Sequence, residues 1–333
     1  MNVTRPTTPE RLIAGYQLCS STEGKSPRST EAVTSSVRYF QRFLETQGES
    51  IHFIDVTRHE IRGFIAYLQQ ARCYAAHSFT PVQDKNLSGH TVNLYARSLR
   101  IFYSWLVSEE IIKINPFIGV KIPRPPVKVI PSFSDSQIEQ LLKVINKKTA
   151  TGYRDFAIIL TFLDTGIRLS ELCSMKIENL RLEDGVGTVR GKGNKERTIP
   201  VGKQLQRVLW YYIERYRLEP ATPKYDFVFL NREGKPLKGR MIETMMRRYG
   251  QKAKLTGVRC SPHTFRHTAA ISFLRNGGDL FSLQRMLGHS SLEMTRRYCA
   301  VTDIDVKRAH TTASPVDNLQ LTSVNVRNRP PPK

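Results

Sequence analysis

The segment SPHTFRHTAAISFLRNGG, residues 261–278, places an imidazole and a guanidinium three residues apart. Ser261 is a favourable N-cap and Pro262 a favourable first helical residue, so the segment predicts a helix that begins here. His263 and Arg266 then share one helix face, close to the positive end of the helix dipole. This arrangement suits an anion such as a phosphate. Taken alone, it is more typical of a buried histidine beside an arginine in an ion pair.

Other side chains of the same chemical types occur beside predicted turns. Arg168 follows a Thr-Gly turn in TGIRLSEL, and Tyr298 comes nine residues after His289. The segment GVGTVRGKGNKERTIPVG has β-branched residues on both sides of a Gly/Asn-rich turn, which predicts a hairpin that carries Lys192 and Lys195. Read singly, each of these residues is more typical of a solvated or packing position than of a site.

Together, these residue types form a set that could cleave a phosphodiester. Two arginines can bind the non-bridging oxygens, a tyrosine can attack and become covalently linked, and a lysine or histidine can move protons. The sequence offers no acidic cluster of the kind that a two-metal nuclease needs, so neither a metal nor another cofactor is expected. The glycine-rich segments fit neither a Walker A loop nor a dinucleotide fingerprint.

The charge of the chain indicates a polyanionic partner. Its 333 residues include 51 Lys and Arg against 29 Asp and Glu, a formal net charge of +22, which makes nucleic acid the first candidate partner and an anionic membrane surface the second. The sequence contains no apolar run long enough for a membrane span and no secretory signal, so we expect a cytoplasmic, nucleoid-associated protein without a membrane partner. Five scattered cysteines favour reduced thiols over disulfides or a zinc site.

Periodicity predicts a mainly α fold with a small antiparallel β-sheet. Helices are expected over residues 30–44 and over SGHTVNLYARSLRIFYSWLVSEE. Another helix is expected to begin at Thr57, where Thr57 and Glu60 form a capping box. A further capping box opens a helix at Ser134, more helices are expected near 203–218 and 238–254, and FVFL is strand-like. Basic residues on polar faces of the helices and in the hairpin are DNA-binding candidates: Arg38, Arg42, Arg97, Arg100, Lys195 and Arg197.

Five prolines in residues 115–131 predict a stiff connector between two domains. We therefore expect a helical domain at 8–120, a proline-rich linker at 121–131, a mixed α/β domain at 132–312 and a poorly ordered tail at 313–333.

The second half of the chain resembles the tyrosine recombinase (phage integrase) family, especially its Xer-like and transposon-borne members. The segments that carry the resemblance are DTGIRLSELCSMKIENL, VRGKGNKERTIPVG and SPHTFRHTAAISFLRNGGDLFSLQRMLGHSSLEMTRRYCAV. The N-terminal part is more loosely similar to the family's helical core-binding domain. The resemblance implies this DNA-clamp domain followed by a mixed α/β catalytic domain.

The resemblance also implies six catalytic positions, each filled by the expected residue type: Arg168, Lys192, His263, Arg266, His289 and Tyr298. The tyrosine would be the nucleophile, and the two arginines would clamp the phosphate. The lysine would protonate the 5′-hydroxyl leaving group. The first histidine would assist proton transfer, and the second would donate a hydrogen bond to the phosphate in the transition state.

The implied reaction is strand exchange between two DNA recombination sites through a 3′-phosphotyrosyl intermediate. The implied assembly is a tetramer on two sites, and an accessory directionality protein is a further expected partner. The segment ARCYAAHSFTPVQDKNL and the C-terminal AHTTASPVDNL favour integration or excision of a mobile element over Xer-like dimer resolution. A type IB topoisomerase and a non-catalytic architectural DNA-binding protein are the alternatives from other classes.

Overall fold

Helices dominate the computed structural model, which describes residues 8–47, 52–73, 82–125, 131–191, 196–289 and 291–299. The chain divides into two units, residues 1–128 and 129–333, and its one sheet among the described residues has three antiparallel strands. The predicted fold class is confirmed. No helix within the described ranges is both long and apolar enough to cross a membrane. The predicted tail at 313–333 lies outside these ranges.

Four helices form the first unit: α1 (Pro9–Thr22), α2 (Pro27–Thr46), α3 (Arg58–Gln70) and α4 (Gly89–Ser108). The capping box predicted at Thr57 is present, with its backbone N–H donating to Glu60. The core between these helices is rich in aromatic rings that meet edge to face, among them Phe40 against Phe64 and against Tyr103. The unit therefore has a hydrophobic core of its own.

A short bridged segment connects α3 to α4. Arg72 pairs with Asn86 in an isolated antiparallel bridge, and the Cys73 N–H donates to the Lys85 carbonyl at 2.7 Å. This pairing fixes both ends of the insertion noted in the sequence. The residues between them, 74–81, lie outside the described ranges.

The second unit begins with α5 (Asp135–Lys143), α6 (Ala150–Thr165) and α7 (Leu169–Cys173), followed by β1 (Leu180–Arg181), β2 (Val186–Arg190) and β3 (Glu196–Pro200). The predicted hairpin is confirmed as β2 and β3, which pair in register from Val186↔Pro200 to Arg190↔Glu196. The expectation of a strand at FVFL is wrong, because Phe227 and Leu230 make only isolated bridges. The capping box at Ser134 is present.

The chain then continues through α8 (Lys203–Tyr211), a π-helical turn (Tyr212–Tyr216), α9 (Gly239–Lys252), α10 (Pro262–Arg275), α11 (Leu280–Leu287) and α12 (Leu292–Cys299). α10 packs against α6 at the centre of this unit. Ser261 caps α10 as predicted, and Gly288 ends α11 with a φ of 63° that an L side chain rarely adopts. These two helix ends position the candidate site.

Candidate active site

Arg168 lies at the start of α7, directly after the turn that ends α6. Its backbone N–H donates to Glu171 Oε2 at 2.8 Å, and its Nη1 donates to Glu171 Oε1 at 2.8 Å. Its Nη2 donates to the Gly288 carbonyl at 2.7 Å. Glu171 is completely buried, so this ion pair is shielded from solvent on the carboxylate side and holds the guanidinium in a defined orientation.

Arg266 lies in the second turn of α10 and is only 8% exposed. Its Nη1 donates to the Gly166 carbonyl at 2.5 Å, and its Nη2 donates to the Leu287 carbonyl at 2.7 Å. Burial and, second to it, the charge of Arg168 lower the pKa of Arg266 to about 10. Both hydrogen bonds go to neutral carbonyls, so the positive charge of Arg266 is not cancelled by them.

Three guanidinium groups bind three successive carbonyls at the end of α11. Arg197 donates to Met286, Arg266 to Leu287 and Arg168 to Gly288. The last carbonyls of a helix have no partner within the helix and carry its negative dipole end, so they attract cations. The turn that precedes His289 is thereby held by side chains from β3, α10 and the start of α7.

His289 follows this turn and lies against Tyr298. The two rings are nearly parallel, with centroids 6.3 Å apart, and His289 Nδ1 lies 2.9 Å from the Thr295 hydroxyl. Burial and the charges of Arg266, Arg168 and Arg197 lower the pKa of His289 to about 4. The imidazole is therefore neutral at physiological pH and can donate a hydrogen bond from one ring nitrogen.

Tyr298 projects from α12 onto a small apolar cluster between α10 and α11, which includes Leu274 and Leu287. Its ring centroid lies 5.1 Å from that of His267, which is 7% exposed. The phenol also interacts electrostatically with Arg266, in the direction that raises the pKa of the arginine. The phenol, the neutral imidazole and the two arginines thus share one site.

Of the two remaining catalytic candidates, the structure describes only His263. His263 is exposed one turn before Arg266 and lines a cavity of about 580 Å³ together with Glu243 and Arg259. Among the described residues, the contacts that connect the other four candidates do not include His263. Lys192 lies outside the described residues.

The DNA-binding candidates lie in different parts of the molecule. Arg38 and Arg42 line a groove of about 650 Å³ in the first unit, together with Arg72 and Lys85, which the sequence had not singled out. Arg97 and Arg100 are exposed on α4 outside this groove, and Lys195 lies outside the described residues. Arg72 and Lys85, which sequence reasoning missed, lie near the two ends of the insertion, and only their charge could have identified them.

Arg197 differs from the other DNA-binding candidates because its side chain is 13% exposed and paired with Glu171. The guanidinium lies in the wall of the site and not on an open basic surface. The alternation along β3 indicates that Arg197 faces inward, because Arg197 and the buried Ile199 share one face of the strand and their neighbours are exposed.

The arrangement can bind an anion and attack it with a phenol oxygen. Three arginines face one glutamate, so the site keeps a net positive charge for a phosphate group. Among the described residues, no three metal-ligating side chains come together.

We expect His289 to make the folded protein acid-sensitive. The folded state holds the imidazole neutral down to about pH 4, whereas the unfolded chain takes up the proton near pH 6.5, so stability is lost as the pH falls from about 6.5 towards 4. His289→Gln should flatten this part of the stability curve, measured by denaturant unfolding at a series of pH values. His90→Gln, at an exposed position on α4, is the control, and equal slopes for the His289 variant and the wild type would contradict the prediction.

Two family models cover most of the chain: the phage integrase family model matches residues 131–304, and the phage integrase SAM-like domain model matches residues 16–122. The chain belongs to the phage integrase family. It is 34% identical to the tyrosine recombinase XerC of Bacillus pumilus over 289 residues, 85% of this chain and 88% of that protein. It is 31% identical to the tyrosine recombinase XerD of Listeria innocua, over 86% of this chain and 92% of that protein.

Solved structures give the same fold. The Tn1549 transposon integrase in complex with a circular intermediate DNA has a TM-score of 0.67 at 21% identity, covering 92% of this chain and 99% of that chain. The XerH recombinase bound to difH substrate also has a TM-score of 0.67, at 19% identity, covering 93% of this chain and 85% of that chain. The resemblance read from the sequence is confirmed, and the protein is a site-specific tyrosine recombinase.

Proposed function

We propose that this recombinase cleaves DNA with Tyr298 and rejoins it through a 3′-phosphotyrosyl intermediate. The observation that carries the proposal is the convergence of Tyr298, His289, Arg168 and Arg266 on one site. The phenol oxygen attacks the scissile phosphorus, and the bond to the 5′-oxygen breaks as the new phosphodiester forms. One phosphodiester replaces another, so no nucleotide cofactor is consumed.

Arg168 and Arg266 have the roles of the phosphate clamp in this mechanism. Each guanidinium has five N–H donors, and the hydrogen bonds above use only some of them. The remaining donors can bind the non-bridging oxygens, whose charge grows in the transition state. His289 adds a further hydrogen-bond donor, and its imidazole stays uncharged near neutral pH.

The roles of the other two residues rest on their match to the family's motifs. Lys192 is the general acid that protonates the 5′-oxygen as it leaves, and His263 assists proton transfer. Neither step needs a metal ion.

We further propose that the groove lined by Arg38, Arg42, Arg72 and Lys85 binds the DNA backbone in the first unit. The Tn1549 and XerH structures contain DNA, and the net charge of +22 fits the same partner. Arg97 and Arg100 form a second exposed basic surface on α4. The active assembly is a tetramer that pairs two recombination sites in the cytoplasm, on the DNA of the nucleoid, with an accessory protein setting direction.

We assign the biological role to integration or excision of a mobile element. The insertion between α3 and α4 supports this assignment, and so does the fold similarity to a transposon integrase. A second candidate is dimer resolution, which the 34% identity to XerC favours. Cleavage of DNA from the ends of the protein's own genomic element, compared with chromosomal DNA of the same host, distinguishes the two roles.

The test of the chemistry is a covalent adduct on nicked site DNA, which traps cleavage because the released fragment diffuses away. We expect an adduct that survives denaturing electrophoresis and forms equally in EDTA. After trypsin digestion, the mass of the DNA remnant should fall on the peptide of residues 298–307, which contains a single tyrosine. Site-specific binding with no adduct would favour the architectural alternative.

A further inference from the structure

Arg197 contacts both the buried carboxylate and the turn that hold the phosphate-binding groups. It projects from β3, opposite Val189 on β2. Its Nη2 donates to Glu171 Oε2 at 2.8 Å, its Nε lies 3.4 Å from Glu171 Oε1, and its Nη1 donates to the Met286 carbonyl. Every nitrogen of the guanidinium is therefore committed to the protein.

Glu171 is the carboxylate that connects the two arginines. Arg168 and Arg197 each reach both of its oxygens, and the side chain of Glu171 is completely buried. A buried carboxylate has lost its hydration and needs a positively charged partner to offset that loss. A single arginine in this role would form a pair with no net charge. With two arginines on one carboxylate, the group as a whole stays positive and Arg168 keeps its attraction for an anion.

Arg197 also packs against the turn before His289. A Cβ placed on Gly288 would lie 2.5 Å from Arg197 Cδ, so the turn passes the arginine at a distance that only glycine permits. The Met286 and Gly288 carbonyls are held by Arg197 and Arg168. A displacement of Arg197 would therefore shift Arg168, because both contact Glu171, and would shift His289, because Arg197 holds the turn before it.

We propose that Arg197 is a positioning residue for DNA cleavage, which holds Glu171 and the 286–288 turn so that Arg168 and His289 are placed for the scissile phosphate. This inference rests on the proposed function of Arg168 and His289. It replaces the prediction that Arg197 itself contacts DNA.

The test is single-turnover cleavage of the nicked site DNA by Arg197→Met. At saturating DNA we expect the cleavage rate to fall about 10- to 100-fold, the cost of misplacing a reacting group by about 1 Å. The dissociation constant for DNA should change less than about 3-fold, because the residue does not touch the substrate. Arg181→Met is the matched control, since Arg181 lies in the same sheet in an exposed ion pair with Asp184.

The pH dependence of cleavage gives a readout that a general loss of packing would not produce. Burial raises the pKa of Glu171, while hydrogen bonds from Arg197 and Arg168 lower it to a net value below the ordinary one. The charged groups that act on this carboxylate are Arg168, Arg197 and Arg266, and the charge of Arg197 also lowers the pKa of His289. Without Arg197, Glu171 takes up a proton at a higher pH and releases Arg168, so the variant should lose activity at a higher pH than wild type as the solution is acidified.

Arg197→Lys keeps the charge but loses the two-pronged geometry, so it should restore the wild-type pH profile while recovering only part of the rate. This variant carries the test if the methionine variant fails to fold. Cleavage by Arg197→Met at the rate of Arg181→Met would overturn the proposal, and so would a loss of DNA affinity as large as the loss of rate. Absence of any adduct in the wild type would instead count against the proposed function itself.

Discussion

Tyr298→Phe is expected to abolish covalent attachment to DNA and to leave binding to the site intact. The substitution removes one oxygen and keeps the ring, so the contacts with His267, His289 and the apolar cluster around Leu274 remain. Without the phenol oxygen the protein has no group that can form the phosphotyrosyl bond in this position. We expect the rate of adduct formation to fall by at least about 10⁴-fold, in the range found when a catalytic nucleophile is removed.

Two measurements separate chemistry from binding in this variant. Mobility-shift titration with intact site DNA should give the wild-type affinity, and the free energy of unfolding should stay within about 1 kcal/mol. Tyr211→Phe, at an exposed tyrosine on α8, provides a control for the loss of a phenol elsewhere in the same unit. An adduct formed by the Tyr298 variant at the wild-type rate would mean that another side chain is the nucleophile.

Local signals in the sequence were sufficient for most helices. The capping boxes at Thr57 and Ser134 and the N-cap at Ser261 depend on neighbouring residues, and all three are present. Two elements were not predicted. The start of α1 does carry a local signal, Thr8 at the N-cap followed by Pro9, whereas β1 has only two residues, too few to show a period.

The candidate site could be predicted by residue type, but its electrostatics could not. The motifs identify Arg168 and Arg266, whereas the pairing of Glu171 with Arg197 joins positions 26 residues apart and depends on how β3 packs against α7. Net charge also gave no indication that Arg197 is mostly buried and paired with Glu171, because a basic residue in a hairpin is usually solvated. The low pKa of His289 likewise arises from burial and from the charges of arginines on three different elements.

Arg266→Met is expected to reduce cleavage strongly with little effect on stability. The methionine cannot bind the phosphate oxygens, and loss of one preorganised donor group of this kind costs about 10²- to 10³-fold in rate. Two opposing effects act on the free energy of unfolding. The pKa of about 10, against an ordinary value of 12.5, means that the folded protein disfavours the charged side chain by roughly 3 kcal/mol.

Removing the guanidinium relieves that cost at neutral pH, where arginine is charged in both the folded and the unfolded state. The same change leaves the Gly166 and Leu287 carbonyls without their donors, at about 1–3 kcal/mol each. Because these contributions oppose each other, the free energy of unfolding should change by no more than about 2 kcal/mol. Single-turnover cleavage tests the expected loss of rate, and denaturant unfolding of the same preparation tests the expected stability.

Arg275→Met is the control for this experiment, because Arg275 lies exposed in the last turn of the same helix. It should retain wild-type cleavage, since an exposed arginine at the far end of α10 is not placed to touch the phosphate. If Arg266→Met cleaved as well as Arg275→Met, the phosphate clamp would have to be assigned elsewhere. A folding defect that accounted for the whole loss of activity would make Arg266 a structural residue. Loss of cleavage in a protein of unchanged stability would instead mean that burial of this charge serves the reaction, because the fold gains nothing from keeping an arginine there.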